Sequence, residues 1–271
     1  MAEVKQQKIA VFLSLTETDK NLIMAGIRIS TIFKKELCLC YNYSKKEKKN
    51  IEVLKEKLSS YINPVRKELP RLEISTLLTS ENLTYLPEKL ADDYEVIIIV
   101  AGASVFSKYV KSVRESSIPF LFINENEEQL SVFKKLILPI DLRRENSDST
   151  IWCSHFGRFN SSEIIVIAAT DKDKDEQRQV KINVALAKKL FLKLKIGHKI
   201  FRGLKSSLGN SFEALELALS SECDLLVILG SSVITPVDYL IGLPEKKIIK
   251  RAGSLPVLII NPRKDNYVLC D

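Results

Sequence analysis

Histidine is nearly missing from this chain, with two copies in 271 residues. His155 and His198 lie in different segments, and spacing gives neither a Ser, Asp or Cys partner. Each therefore reads as a surface or packed residue rather than a catalytic base. No G-x-S-x-G elbow, Walker A loop, HExxH or GxGxxG occurs. The five cysteines form no CxxC or Cys/His zinc spacing, which excludes zinc-ribbon and thioredoxin-type chemistry. Cys38 and Cys40 point to one face of a strand, as a redox pair or as small buried hydrophobes, and the second is the expectation. The acidic run Asp171, Asp173, Asp175 and Glu176 lacks the glycine and terminal glutamate of an EF-hand loop and reads as a solvated loop. Long apolar runs are also absent. The longest, Val96 to Phe106, is about half of what a membrane helix needs. Met1 to Lys8 has no apolar core and no cleavage pattern, so the cytoplasm is the expected compartment.

Charge is unevenly spread. Residues 1–130 carry 19 Lys and Arg against 18 Asp and Glu, whereas residues 131–271 carry the other 22 against 16. The basic second half suits an anionic partner or is simply a solvated lysine-rich surface. No helix-turn-helix, RNP or zinc-finger pattern accompanies the charge, so no sequence-specific nucleic-acid binding is expected.

What the chain does have is a repeat. Lys8-Ile9-Ala10-Val11-Phe12-Leu13-Ser14 is answered by Lys135-Leu136-Ile137-Leu138-Pro139-Ile140-Asp141. Val96-Ile97-Ile98-Ile99-Val100-Ala101-Gly102 is answered by Asp224-Leu225-Leu226-Val227-Ile228-Leu229-Gly230, and Pro119-Phe120-Leu121-Phe122-Ile123-Asn124 by Pro256-Val257-Leu258-Ile259-Ile260-Asn261. A period this long duplicates a whole domain, since solenoid units run only about 20–50 residues. The reading is two domains, 1–126 and 132–271, joined by a short polar linker from about Glu125 to Ser131.

Each half alternates strand-like and helix-like segments. Strands are expected at 8–14, 36–42, 71–77, 95–101 and 119–123, and again at 134–140, 163–169, 196–202, 224–229 and 255–260. Several are apolar on both faces, which marks parallel strands covered by helices on both sides. The fold class is therefore α/β: two tandem doubly wound domains, each with a five-stranded parallel sheet flanked by helices. Helices are expected at 50–61 and at 180–194, the latter with a stripe of Ile182, Val184, Leu186, Leu190 and Leu194. Asn210 and Ser211 are expected to cap the helix over 212–219, and Pro244 fits the first turn of the last helix. The segment 147–160, with Gly157 and several serines, is expected to be short or frayed.

Ligands of a doubly wound sheet bind beyond the carboxyl ends of its strands, where strand order reverses. In the second half that places Asp141 and the turn Gly230-Ser231-Ser232 around a crevice. Asp141 suits a ribose or base hydrogen bond, or is a turn residue. Gly230 permits close approach of a phosphate, and Ser231, Ser232 and Thr235 offer hydroxyls beside a helix N-terminus.

Leu136-Ile137-Leu138-Pro139-Ile140-Asp141, the stretch Ser211-Phe212-Glu213-Ala214 through Gly230-Ser231, and Glu245-Lys246-Lys247-Ile248-Ile249-Lys250-Arg251-Ala252-Gly253-Ser254-Leu255-Pro256-Val257 together resemble the universal stress protein family. The resemblance covers nearly the whole chain as two tandem domains, is good in the second half and faint in the first. It implies five parallel strands per domain and pairing of domains through their last strands. It leaves a homodimer and a further protein partner open. Members that bind ATP carry G-x2-G-x9-G-[S/T]. Here Gly230 fills the first position, Val233 replaces the second glycine, and the third falls at Leu243, beside Gly242 and before Pro244. A β-branched residue cannot copy a glycine-dependent turn. In the first half only Gly102 stands, and Ser14-Leu15 replaces the aspartate. The resemblance thus implies a stress-response protein with a degenerate nucleotide motif that acts through binding and conformation, not as an enzyme. The alternative is a sensor of ATP or another adenine nucleotide, held in the second domain by Asp141, Gly230, Ser231, Ser232 and Gly242. An enzyme of the wider nucleotide-activating α-hydrolase class would need glycine after the first strand, and neither Ser14–Thr18 nor Asp141–Glu145 contains one.

Overall fold

The computed structural model describes residues 6–128, 131–231 and 243–261. The chain divides near residue 129 into two compact units. The first runs β1 (Lys8–Phe12), α1 (Asp19–Phe33), β2 (Glu36–Asn42), α2 (Ile51–Glu68), β3 (Ile74–Thr79), α3 (Leu86–Tyr94), β4 (Val96–Gly102), α4 (Phe106–Glu115) and β5 (Phe120–Ile123). The second runs β6 (Lys135–Ile140), α5 (Asn146–Asn160), β7 (Glu163–Ala168), α6 (Lys174–Lys193), β8 (His198–Arg202), α7 (Asn210–Ser220), β9 (Leu225–Leu229), α8 (Pro244–Arg251) and β10 (Val257–Ile260).

Within the first unit the strand order is β3-β2-β1-β4-β5, and every pairing is parallel. Within the second it is β8-β7-β6-β9-β10, again parallel throughout. Each unit thus winds outward from its first strand one way, then restarts beside it with its fourth. The repeat in the sequence is a repeat in topology. The apolar runs lie where both faces of a sheet are covered: every residue of β4 and β9 is buried.

Four local expectations need correction. The segment 147–160 is not frayed: α5 is a full helix of 15 residues. Its small residues are packing choices. A Cβ on Gly157 would lie 2.5 Å from Ile196 Cγ2, so the helix approaches the chain before β8 only through that glycine. Ser149, Thr150 and Ser154 satisfy their hydroxyls on carbonyls one turn back, at 3.1, 2.7 and 2.7 Å.

The stripe foreseen on α6 is the wrong face. Val180, Asn183, Ala187 and Phe191 are buried, while Ile182 and Leu186 are 44% and 57% exposed. A polar Asn183 inside the buried row hid its true phase. Asn210 does not cap α7; its amide is used elsewhere, as described below, and Gly209 stands at the cap position. β3 begins at Ile74 rather than residue 71, because α2 continues beyond Tyr61 to Glu68 on the buried row Leu54, Leu58 and Ile62. Pro244 does open α8.

Candidate functional site

In the second unit Asp141 directly follows strand β6 at the point where strand order reverses, and it is only 5% exposed. Its carboxylate is already taken. Arg143 folds back onto it, donating from Nε at 2.9 Å and Nη2 at 2.6 Å to Oδ2. The Arg143 backbone N–H and Asn146 Nδ2 donate to Oδ1, each at 2.8 Å. The same guanidinium donates from Nη1 to the Gly230 carbonyl at 3.1 Å, so it bridges the ends of the first and fourth strands of this unit. Two guanidinium N–H groups thus converge on the single oxygen Oδ2, a charge-assisted arrangement.

Ser231, just past β9, donates its backbone N–H to Glu245 Oε1. Glu245 is 6% exposed although it sits in the first turn of α8. The place where a backbone N–H would meet a phosphate is filled by the chain's own carboxylate. Asp141, Gly230 and Ser231 are therefore brought together as the sequence suggests. Ser232, Val233, Thr235 and Gly242 lie outside the described residues. The crevice beside them, about 270 Å³, is lined in part by Asp141, Arg143, Ser207, Phe212, Ser231 and Glu245. The described residues do not fit a bound phosphate: its N–H donor and the aspartate are both engaged by side chains of the chain itself.

Sequence reasoning missed how this rim is built. Three asparagines, one from each of α5, α6 and α7, donate to carbonyls at or just beyond the strand ends. Asn146 Nδ2 reaches the carbonyls of Asp141 and Arg143 at 3.1 and 2.5 Å. Asn183 Nδ2 reaches the same two at 2.9 and 2.8 Å. Asn210 Nδ2 reaches those of Ile140 and Ile167 at 3.0 and 3.2 Å. Carbonyls leaving a buried sheet need partners, and the amides supply them. An apolar-stripe search passes over such residues because they are polar and lie on buried helix faces.

The acidic run is likewise structural. Asp171 accepts from Ser207 N and Oγ at 2.9 and 2.6 Å. Asp173 caps α6, accepting from Asp175 N at 2.9 Å and Glu176 N at 3.0 Å. Among the described residues no group of three or more His, Cys, Asp or Glu side chains is placed to hold a metal ion.

The first unit holds the larger crevice, about 740 Å³, at the carboxyl ends of its strands. Phe12, Tyr41, Tyr43 and Tyr109 give it aromatic surface, and Ser14, Thr16, Thr18 and Ser44 give it hydroxyls. Burial raises the phenol of Tyr41, with help from its hydrogen bond to Glu47, to about 12. Here too a carboxylate closes the phosphate position. Glu125, which opens the expected linker, is 7% exposed. It accepts from Ser104 Oγ and, at 3.4 Å, from Ser104 N. The loop after β1 lacks an aspartate at its start, but buried Asp19 takes its place, accepting from Ser14 N, Ser14 Oγ and Thr16 N at 3.0, 2.9 and 3.2 Å.

Both histidines are packed. His155 stacks on Phe159 and meets Trp152 edge-to-face, and His198 lies against Phe191 while its Nδ1 meets the Ile196 carbonyl at 2.9 Å. Cys38, Cys40, Cys153 and Cys223 are free and buried, and burial raises every one of their thiol pKa values. The strand cysteines are thus small hydrophobes, not a redox pair. Among the described residues no helix is long and apolar enough to cross a membrane.

Neither a protein-family model nor a curated protein matches the sequence at a significant level. Solved structures do match its architecture. A universal stress protein from Archaeoglobus fulgidus DSM 4304 is 12% identical, with a TM-score of 0.67 over 96% of this chain and 97% of that one. A putative universal stress protein from Pseudomonas aeruginosa UCBPP-PA14 is 10% identical, with a TM-score of 0.59 over 94% of this chain and 93% of that one. The cytoplasmic domain of a prokaryotic cation chloride cotransporter is 12% identical, with a TM-score of 0.57 over 96% and 98%. Two parallel five-stranded units in one order, and likeness to universal stress proteins across nearly the full length, lead to one conclusion: this chain has the universal stress protein fold, twice in tandem.

Proposed function

We propose that the protein is a cytoplasmic stress-response protein that works by binding and conformation, without turnover. The shared fold supports the stress-response assignment. The observation that carries the non-catalytic reading is the filled crevice of the second unit. Arg143 neutralises Asp141 and holds the Gly230 carbonyl, and Glu245 takes the Ser231 N–H. A triphosphate would meet a buried carboxylate, and among the described residues no nucleophile–base pair lines the crevice.

The test is ATP itself. Freshly purified protein is expected to release no nucleotide on denaturation, to show no melting shift with millimolar ATP, and to hydrolyse none. A ligand at a hundred times its dissociation constant adds about 2.7 kcal/mol, which such a shift detects readily. Micromolar ATP affinity with hydrolysis would overturn the proposal.

An adenine-nucleotide sensor using the second unit alone is the other reading. It draws on the second-unit crevice, which Asp141 and Ser231 still line. It requires Arg143, whose side chain is one-third exposed, to swing out. ATP binding without hydrolysis, lost in Asp141→Ala, would select it.

A further inference from the structure

We propose that Glu125 is a resident anion in the first unit, and that it makes that unit's crevice a site for a nucleoside-class ligand without phosphate. Four observations converge on this. The crevice, about 740 Å³, falls within the roughly 300–1,000 Å³ usual for small-molecule sites. Its anion-binding corner is closed from inside, because the Glu125 carboxylate sits on Ser104 N and Oγ ahead of α4. The carboxylate is held there by design of the backbone. Asn21 Nδ2, on α1, donates to the Glu125 carbonyl at 2.9 Å and fixes the residue from behind. Gly102 ends β4 with φ −70° and ψ 141°, a conformation any residue adopts, so its dihedrals do not demand glycine. What the missing side chain leaves is room for the carboxylate: a Cβ at Gly102 would lie 2.7 Å from Glu125 Cδ and Oε1 and would push the carboxylate aside.

The two units reach the same end by different routes. Glu125 follows β5, whereas Glu245 precedes β10 on the first turn of α8. A carboxylate thus sits on an N–H just past the fourth strand in both units, one residue beyond Gly230 and two beyond Gly102, from unrelated positions. Loss of a phosphate site by drift would leave that N–H to water.

The remaining lining sets the ligand class. Tyr41 and Tyr43, both half-buried, offer partly exposed rings with phenol hydroxyls, and the buried rings of Phe12 and Tyr109 complete an apolar lining suited to a heterocyclic base. Ser14, Thr16, Thr18, Ser44 and the acceptors of Glu125 suit a sugar's hydroxyls. The lining carries three carboxylates, Glu47, Glu81 and Glu125, against two ammonium groups, Lys45 and Lys108, so a phosphate on that sugar meets a net negative lining with Glu125 at the anion-binding corner.

Calorimetric titration of the full chain with adenosine, guanosine, cytidine and uridine, each beside its 5′-monophosphate, tests the proposal. The wild-type protein is expected to bind at least one nucleoside, at least tenfold more tightly than its monophosphate, and to ignore inorganic phosphate. Glu125→Ala vacates the Ser104 donors, so this variant is expected to bind inorganic phosphate and the monophosphate. Glu125→Asn, shorter by one methylene and still polar, serves the same purpose should the alanine variant not fold. A wild-type protein that binds no nucleoside, or prefers a monophosphate, overturns the proposal. So do folded Glu125 variants that gain no phosphate affinity. The result separates from the reading above, since the gain on altering Glu125 concerns the first unit alone, whatever ATP does in the second.

Discussion

Asn146 and Asn183 donate to the same two carbonyls, those of Asp141 and Arg143. A carbonyl oxygen has two lone pairs, so each amide covers for loss of the other. Asn183→Ala alone removes three hydrogen bonds, the third being the one Asn183 Oδ1 accepts from half-buried Gln179 Nε2 at 2.9 Å, but leaves both carbonyls paired through Asn146, which costs about 1–2 kcal/mol. Asn146→Ala also takes a partner from Asp141 Oδ1, so it costs somewhat more, about 2–3 kcal/mol. In the double variant the Asp141 carbonyl loses both donors, whereas that of Arg143 keeps the Asn146 backbone N–H at 3.3 Å, and Asn146 and Asn183 are both sites with little access to water. An unsatisfied buried group costs about 1–3 kcal/mol beyond the lost bonds. The double variant is therefore expected to be destabilised by about 1–3 kcal/mol more than the sum of the singles. The chain carries its own probe. Trp152 is the single tryptophan, is buried on α5 with Asn146, and reports on the second unit alone. Urea unfolding followed by its fluorescence, completed as a double-mutant cycle, gives the coupling. Additivity within about 0.5 kcal/mol would refute the shared-acceptor argument.

Gly157→Ala gains about 1 kcal/mol of helix propensity. It is nonetheless expected to lose about 1–3 kcal/mol overall through collision with Ile196, whereas Gly197→Ala, which meets nothing within 4 Å, should stay within about 0.5 kcal/mol. Melting curves of the two variants decide it, and equal effects would contradict the packing account. On α6, Ile182→Ser and Leu186→Ser should each change stability by less than about 0.5 kcal/mol. Phe191→Ala on the opposite face should cost about 3–5 kcal/mol, and the reverse ranking would restore the face read from the sequence. Glu47 accepts from Tyr41 Oη and Ser44 N at 2.7 Å each, and these bonds, the Tyr41 one first, hold its carboxyl near 2 rather than at 4.5. A depressed carboxyl pKa makes a contribution that is complete above the unfolded value and lost as pH falls through about 2. NMR titration of the Glu47 side chain should show its midpoint well below those of exposed glutamates, and a midpoint above 4 would contradict the loop geometry.

The strands were legible because continuous β-branched runs leave no alternative burial. Ile97 to Val100 and Ile164 to Ile167 cannot be half-exposed without cost, and both proved covered on two faces. The repeat then supplied the topology, since two copies of one pattern constrain each other. Helix α6 was misread because exposed Ile182 and Leu186 mimic a core stripe while buried Asn183 breaks the real one. Helix α5 was undervalued because propensity prices Gly157 and the serines without the neighbour that requires them. At the second-unit crevice, the nearness of Asp141, Gly230 and Ser231 was legible from strand ends alone. Their partners were not, because Arg143, Glu245 and Glu125 look like ordinary surface charges in sequence. Nothing local distinguishes a carboxylate pointing into water from one turned onto a backbone N–H, and only the assembled sheet decides between them.

The shielded thiols turn the molecule into its own recorder of opening. Cys38 and Cys40 lie on β2 of the first unit, Cys153 on α5 and Cys223 beside β9 of the second. Alkylating reagents attack the thiolate, and a buried thiol with a raised pKa yields little of it until its cover parts. Timed exposure to iodoacetamide, followed by peptide mass spectrometry, would therefore clock the breathing of each half separately within one intact chain.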